Sequence, residues 1–218
     1  MSLIERLKED VRYHEGLKSC INCGICTSIC PAASCSEYDP RRMMDLVQKA
    51  NEQQLQEVLS GEEIWMCGEC MSCKTRCPRQ NVPGLVIMAL RSLSQDSGLF
   101  MRSHRGRQQL VIKRTVGDNI LKFGYCIYPK EVSPDLHPEH GKIWEWWFKH
   151  SEEVYTLFDH EYLKAGPGIF KLLPEETIDE LKAIFRITGA TSRFDLIEKL
   201  MESSSGNPMS NCSDNEMS

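Results

Sequence analysis

The 218-residue sequence predicts a mostly α-helical protein. Apolar residues recur at helical spacing along most of the chain, and strand-type alternation is weak throughout. The segment joining two cysteine-rich runs is itself helical in pattern. Those runs are copies of each other: Cys20-x2-Cys23-x2-Cys26-x3-Cys30-Pro31 recurs as Cys67-x2-Cys70-x2-Cys73-x3-Cys77-Pro78.

The elements follow in order. Leu3, Ile4, Leu7 and Val11 predict an amphipathic helix over 3–14 that leads into the first run. Asp39-Pro40 is an N-cap followed by the residue best suited to a first helical turn, and Met43, Val47 and Ala50 share the face that comes next. Leu55, Val58 and Leu59 give a second short helix ending near Gly61. Ile64-Trp65-Met66 is an apolar approach to the second run. Pro83-Gly84 opens a helix of 14 residues whose apolar residues fall on more than one face, so it should be largely buried, and Gly98 ends it. Leu110, Val111 and Arg114 keep the helical period over 105–115. Pro129, Pro134 and Pro138, with Gly117 and Gly124, mark 117–140 as loop.

Ile143, Trp144, Trp147 and Phe148 open a helix that continues through Val154, Leu157 and Phe158. Trp146 points about 100° away from Trp147 on such a helix, so the three tryptophans cannot share one core. One of them suits an interface, where tryptophan is enriched. Pro174, in a first-turn position with Glu175 and Glu176, starts a helix striped by Ile178, Leu181 and Phe185. Ser192 should cap a last helix carrying Phe194, Ile197, Leu200 and Met201. Beyond Ser203 nothing is periodic. The expected division is therefore a cysteine-bearing domain over 1–100, a helical extension over 101–202 suited to partner docking, and a disordered tail over 203–218.

Hydrophobic residues make up 41% and charged residues 26%, a soluble globular composition. The charged N-terminus argues against a secretory signal, and the longest apolar run, Val82–Leu90, is about half the roughly 18 residues of a spanning helix. A cytoplasmic protein without membrane insertion is expected. The net charge of −5 is uneven: 101–130 carries +6 and 131–218 carries −9. A basic span of this kind suits an acidic partner or nucleic acid, but a solvated face is the default reading and nucleic acid is not expected.

In a reducing compartment thiolates bind metal. Four thiols within eleven residues, closing on Cys-Pro, is the spacing of bacterial two-cluster ferredoxins, where the fourth cysteine ligates the other cluster. Two [4Fe–4S] clusters are expected, one on Cys20, Cys23, Cys26 and Cys77, the other on Cys67, Cys70, Cys73 and Cys30. Zinc modules use separated C-x2-C pairs instead. Radical chemistry on S-adenosylmethionine needs a C-x3-C-x2-C run that leaves one iron open. Here every iron has a thiolate, so no catalytic residue is expected and the chain should transfer electrons. No G-x-G-x-x-G follows a strand, and no Cys-Cys doublet occurs. His137 and His140 read as surface residues, Cys35 as a small buried hydrophobe, and Cys126 and Cys212 carry no assignment.

The run CINCGICTSICPAASCSEYDPRRMMDLVQKA, followed by IWMCGECMSCKTRCPRQNVPGLVIMALRSLS, resembles the C subunit of heterodisulfide reductase over roughly residues 15–100. The resemblance implies an α-helical ferredoxin fold with two [4Fe–4S] clusters. It also implies an electron relay between the A subunit, which carries flavin and iron–sulfur clusters, and the catalytic B subunit, which carries CCG motifs. The missing Cys-Cys doublet fits the relay component. HPEHGKIWEWWFKH is similar to the C-like subunits of sulfur-oxidising bacteria, so the complex would serve thiol–disulfide or sulfur-oxidation metabolism. Two other classes stay open: a redox sensor binding nucleic acid through 101–130, and a free-standing two-cluster shuttle.

Overall fold

The computed structural model describes residues 1–127, 129–135, 137–157 and 172–203, and among these every regular element is helical. Two compact units are present: Met1–Arg107 with the chain from Lys199 onward, and Gln108–Glu198. No described helix is long and apolar enough to cross a membrane.

The first unit opens with α1 (Leu3–Glu9) and α2 (Val11–Gly16), where periodicity alone predicts one helix over 3–14. Asp10 divides them. Its backbone is extended, and its carboxylate accepts from the Arg12 amide at 2.8 Å, a local cap that competes with helix continuation. After the first cysteines comes the single turn α3 (Ile25–Ser28). Then α4 (Pro40–Lys49) starts as predicted, with the Asp39 carboxylate accepting from the Arg41 amide at 2.9 Å and Pro40 in the first turn. It buries Met43, Met44, Leu46 and Val47, whereas Ala50 is the left-handed residue that ends it. Asn51 caps α5 (Glu52–Ser60), which buries Leu55, Val58 and Leu59 as its stripe predicts.

A 3-10 turn over Glu63–Trp65 drives Ile64 into the core, and the short α6 (Ser72–Arg76) follows the second cysteine loop. The central member is α7 (Pro83–Asp96), 14 residues long, against which α1, α2, α4, α5 and α6 all pack. That surround explains its many-sided apolar sequence: Val86, Ile87, Ala89, Leu90 and Leu93 are all buried. Cys20, Cys30 and Cys67 rest against this core, so the loops that carry them are anchored by hydrophobic packing. Gly98 turns the chain with φ 74°, and α8 (His104–Arg107) is tied back by the Glu62 carboxylate, which accepts from the His104 and Arg105 amides.

In the second unit α9 (Gln109–Ile112) runs through a π-turn at Lys113–Gly117 into α10 (Asp118–Phe123). The loop expected over 117–140 is therefore shorter than its breakers suggest. Gly117 is not a breaker here. A Cβ at that position would lie 2.5 Å from the Phe194 ring, so the glycine serves close packing inside a helix. Then come α11 (Gly141–Leu157), α12 (Glu175–Ile187) with Pro174 at its cap, and α13 (Ala190–Ser203), whose residues from Lys199 are counted with the first unit. The last helix begins two residues before Ser192, directly after the left-handed Gly189. Phe158, Cys212 and 204–218 of the expected tail lie outside the described residues.

Gly16 sets the approach of α2 to α7. Its carbonyl accepts from the Val82 amide at 2.8 Å, and an added Cβ would meet Val86 Cγ2 at 2.7 Å and the Val86 amide at 3.0 Å. Gly16→Ala should lower stability by about 1–3 kcal/mol through overpacking. Anaerobic denaturant unfolding followed at 222 nm checks this, and an unchanged midpoint would show that the helices separate freely.

Candidate iron–sulfur centre

The two cysteine runs fold into the same local shape. In the first, Asn22 and Gly24 take left-handed backbone angles of φ 58° and 81°; in the second, Glu69 and Met71 take 52° and 58° at the equivalent positions. Each loop thereby curls back, so that the amide two residues on donates to the first thiol: Asn22 to Cys20 Sγ and Glu69 to Cys67 Sγ, both at 3.4 Å. Glu69 and Met71 are not glycine, and holding such residues left-handed costs of order 1–3 kcal/mol each. Each loop then enters a short helix, α3 or α6, and these two helices pack together.

That packing mixes the runs. Cys20, Cys23, Cys26 and Cys77 line one small cavity, and Cys30, Cys67, Cys70 and Cys73 line a second. Cys30 and Cys77, the last thiol of each run, face the other run's cavity. Pro83, at the start of α7, lines both, so the cavities lie side by side at that helix end. The Gly84 amide in the same first turn bonds to the Cys73 thiol, and a Cβ on Gly84 would meet Met71 Sδ at 2.8 Å.

Side chains that the motif does not contain hold this arrangement. Asn81 is buried; its Oδ1 accepts from the Lys18 and Ser19 amides at 2.7 and 3.2 Å, and its Nδ2 donates to the Ser19 carbonyl. Its own amide donates to Cys77 Sγ at 3.3 Å, so one residue staples the entrance of the first run to the exit of the second. Gln48 on α4 brackets Cys20, accepting from its amide at 3.1 Å and donating to its carbonyl at 3.3 Å. On the second loop Arg91 does the equivalent work. It donates to the carbonyls of Ile64 and Cys67 at 2.6 Å, pairs with Glu69, and lies over the Trp65 ring. Tyr38 is buried at the second cavity with its hydroxyl bonded to the Cys67 thiol; burial first, then the neighbouring Cys67, pushes its ionisation up.

The donor set is the chemistry of a [4Fe–4S] cluster: four thiols per cavity, with amides aimed at their sulfurs. Burial pushes the Cys26 thiol up to about 11 and raises Cys73 as well. Burial disfavours the free thiolates, so to ionise there they would need a compensating cation, which the iron of a cluster would supply. Cys70 differs, being exposed and held low by the Ser72 hydroxyl and amide. The residues fit the group.

Other expectations change. Cys35 is exposed rather than buried, its thiol pointing at the Pro31 and Ala32 carbonyls, and it lines neither cysteine cavity. Cys126 is also exposed. His137 has a carboxylate neighbour that its loop setting hides: Glu139 bonds Nδ1 at 2.8 Å while Thr115 bonds Nε2 at 2.7 Å. Trp144 donates to the Val132 carbonyl and stacks on Trp147, which leaves Trp146, 56% exposed, on another face.

Asn81→Leu keeps the side-chain volume close to native but leaves the Lys18 and Ser19 amides without their acceptor. Stability should fall by about 1–3 kcal/mol, and iron should pass to a chelator faster than from the unaltered protein. Equal release rates would show that Asn81 does not hold the loops.

Residues 16–81 match the family described as "4Fe-4S dicluster domain". The C subunit of the ferredoxin:CoB-CoM heterodisulfide reductase of Methanosarcina acetivorans is 32% identical over 194 residues, covering 88% of this chain and 71% of that protein. The second iron–sulfur C subunit of the CoB–CoM heterodisulfide reductase of Methanocaldococcus jannaschii is 30% identical over 148 residues, covering 66% and 73%. The C subunit of the H2:CoB-CoM heterodisulfide,ferredoxin reductase of Methanothermobacter thermautotrophicus is 28% identical over 127 residues, covering 56% and 67%. With its cysteine loops inside the dicluster match and its likeness running well past them, the chain belongs to the family of heterodisulfide reductase C subunits.

Proposed function

We propose that this chain is the electron-relay subunit of a cytoplasmic heterodisulfide reductase-like complex, placed between the A subunit with its flavin and iron–sulfur clusters and the CCG-motif B subunit. Two [4Fe–4S] clusters would be held, one by Cys20, Cys23, Cys26 and Cys77 and one by Cys30, Cys67, Cys70 and Cys73. The observation that carries the reading is the pair of adjoining cavities, each lined by four thiols and both touching Pro83.

When bound, such clusters supply one-electron storage. The residues here supply a closed coordination set, which leaves no position for substrate. Amides from Asn22, Glu69, Asn81 and Gly84 donate toward thiolate sulfur and so favour the reduced, more negative state. The proximity of the cavities suits passage from one to the other, and the exposure of Cys23 and Cys70 suits exchange with partners outside. Disulfide or sulfur chemistry would take place on the partner. The relatives' named substrate, the CoB-CoM heterodisulfide, makes disulfide reduction the first direction to test; sulfur oxidation is the reverse use of the same relay.

Anaerobic assay should find about eight irons and eight sulfides per chain, and reduced protein should give an electron paramagnetic resonance spectrum split by two interacting centres. Four irons and an unsplit signal would remove the relay. The exposed Trp146 suits a partner contact. Trp146→Ala should weaken co-purification with the A and B subunits while iron content stays at the unaltered level; full co-purification would place the interface elsewhere.

A further inference from the structure

The two cavities differ in charge. Arg41 and Arg79 line the first, whereas no charged side chain lines the second. Arg76 is exposed and directly precedes Cys77 of the first cavity, whereas Lys74 follows Cys73 of the second. Among the described residues Lys74, Arg76 and Arg79 make no ion pair; Arg79 reaches only the Ser19 hydroxyl at 3.4 Å. The neighbouring carboxylates are already engaged: Glu15 with Lys18, Asp39 with Arg41, Asp45 with Lys49 and Glu69 with Arg91. Glu37, next in sequence to the Tyr38 of the second cavity, has no cation among the described residues. The surplus positive charge thus belongs to the first cavity.

Apolar surface sits inside that charge. Ile21 and Ile25 line the first cavity yet are 58% and 37% exposed, and Cys23 between them is exposed too. Exposed isoleucines beside a thiol cradle serve neither the core nor solubility. An apolar centre with a charged rim is the anatomy of a specific protein interface, in which the rim steers encounter and sets orientation. A nucleic acid would also meet the cations, but it offers nothing to cover the two isoleucines.

We propose that the mouth of the first cavity is the docking face for a protein redox partner whose own one-electron centre is ringed by carboxylates. The inference rests on the relay reading and assigns a partner chemistry to one of its two ends. Arg76 and Arg79 steer the partner, Ile21 and Ile25 seat it, and Cys23 lies at the point of exchange.

The holoprotein, reduced with dithionite and freed of excess, is mixed in a stopped-flow instrument with one equivalent per cluster of ferricyanide or of hexaammineruthenium(III). In each case one electron leaves the protein and the oxidant's metal falls from the trivalent to the divalent state. At low ionic strength the anionic oxidant should lose about tenfold in rate in Arg76→Glu/Arg79→Glu, and the cationic one should gain, with both effects fading in high salt. Arg76→Gln/Arg79→Gln should fall between. Co-expression with the A and B subunits gives the protein readout: the charge reversal should weaken assembly at low salt while iron content is unchanged. Unaltered oxidant preference, unaltered assembly, or tight duplex DNA binding abolished by the reversal would each overturn the proposal. If the B subunit receives no electrons even from the unaltered protein, it is the relay reading that fails, and the oxidant preference still reports on the face.

Discussion

Each cysteine run leaves its last thiol in the other run's cavity, and most of the first unit follows from that exchange. Cys77 can join Cys20, Cys23 and Cys26 only if two loops separated by the whole of α4 and α5 are brought together. The α3–α6 contact, the Asn81 staple and the near approach of α2 to α7 at Gly16 all serve that meeting. Bound metal would then act as a cross-link between distant parts of the chain, so loading should add to the stability of the fold. The hydrophobic core makes the meeting repeatable. Because Cys20, Cys30 and Cys67 rest on it, the loops need little further ordering when metal arrives.

What was legible in the sequence divides along physical lines. Spacing arguments work where one local rule acts alone: the cysteine runs, the Asp39-Pro40 start of α4, the stripe of α5 and the length of α7. They fail where a side chain offers the backbone an alternative or where a distant residue fills the space. Asp10 interrupts a good helical pattern with its own carboxylate, and Gly117 continues a helix because Phe194 needs the room. Asn81, Gln48, Arg91 and Tyr38 carry no spacing signal, since each acts on a cysteine loop through a backbone group or thiol that only the fold brings near. Left-handed Met71 is hidden for a related reason: its equivalent, Gly24, advertises the turn, but methionine does not.

The two loops share a backbone shape and differ in what surrounds them. Neutral amide side chains, Gln48 and Asn81, hold the first, while an arginine paired with Glu69 holds the second. Arg41 and Arg79 line the first cavity, and no charged side chain lines the second. A relay with two equal ends has no use for that difference, whereas one that must tell an electron donor from an acceptor does. Family membership fits this division of labour, because a component that transfers electrons must be specific in what it touches.

The exchange of fourth cysteines is tested most directly by pairing serine variants and asking which share a spectroscopic change. Electron paramagnetic resonance with potentiometric titration of Cys23→Ser, Cys77→Ser, Cys70→Ser and Cys30→Ser separates the two centres. The account predicts that Cys77→Ser alters the same signal as Cys23→Ser, and Cys30→Ser the same signal as Cys70→Ser. If Cys77→Ser instead changed the signal altered by Cys70→Ser and left the Cys23 signal intact, each run would close its own cluster and the account would be contradicted.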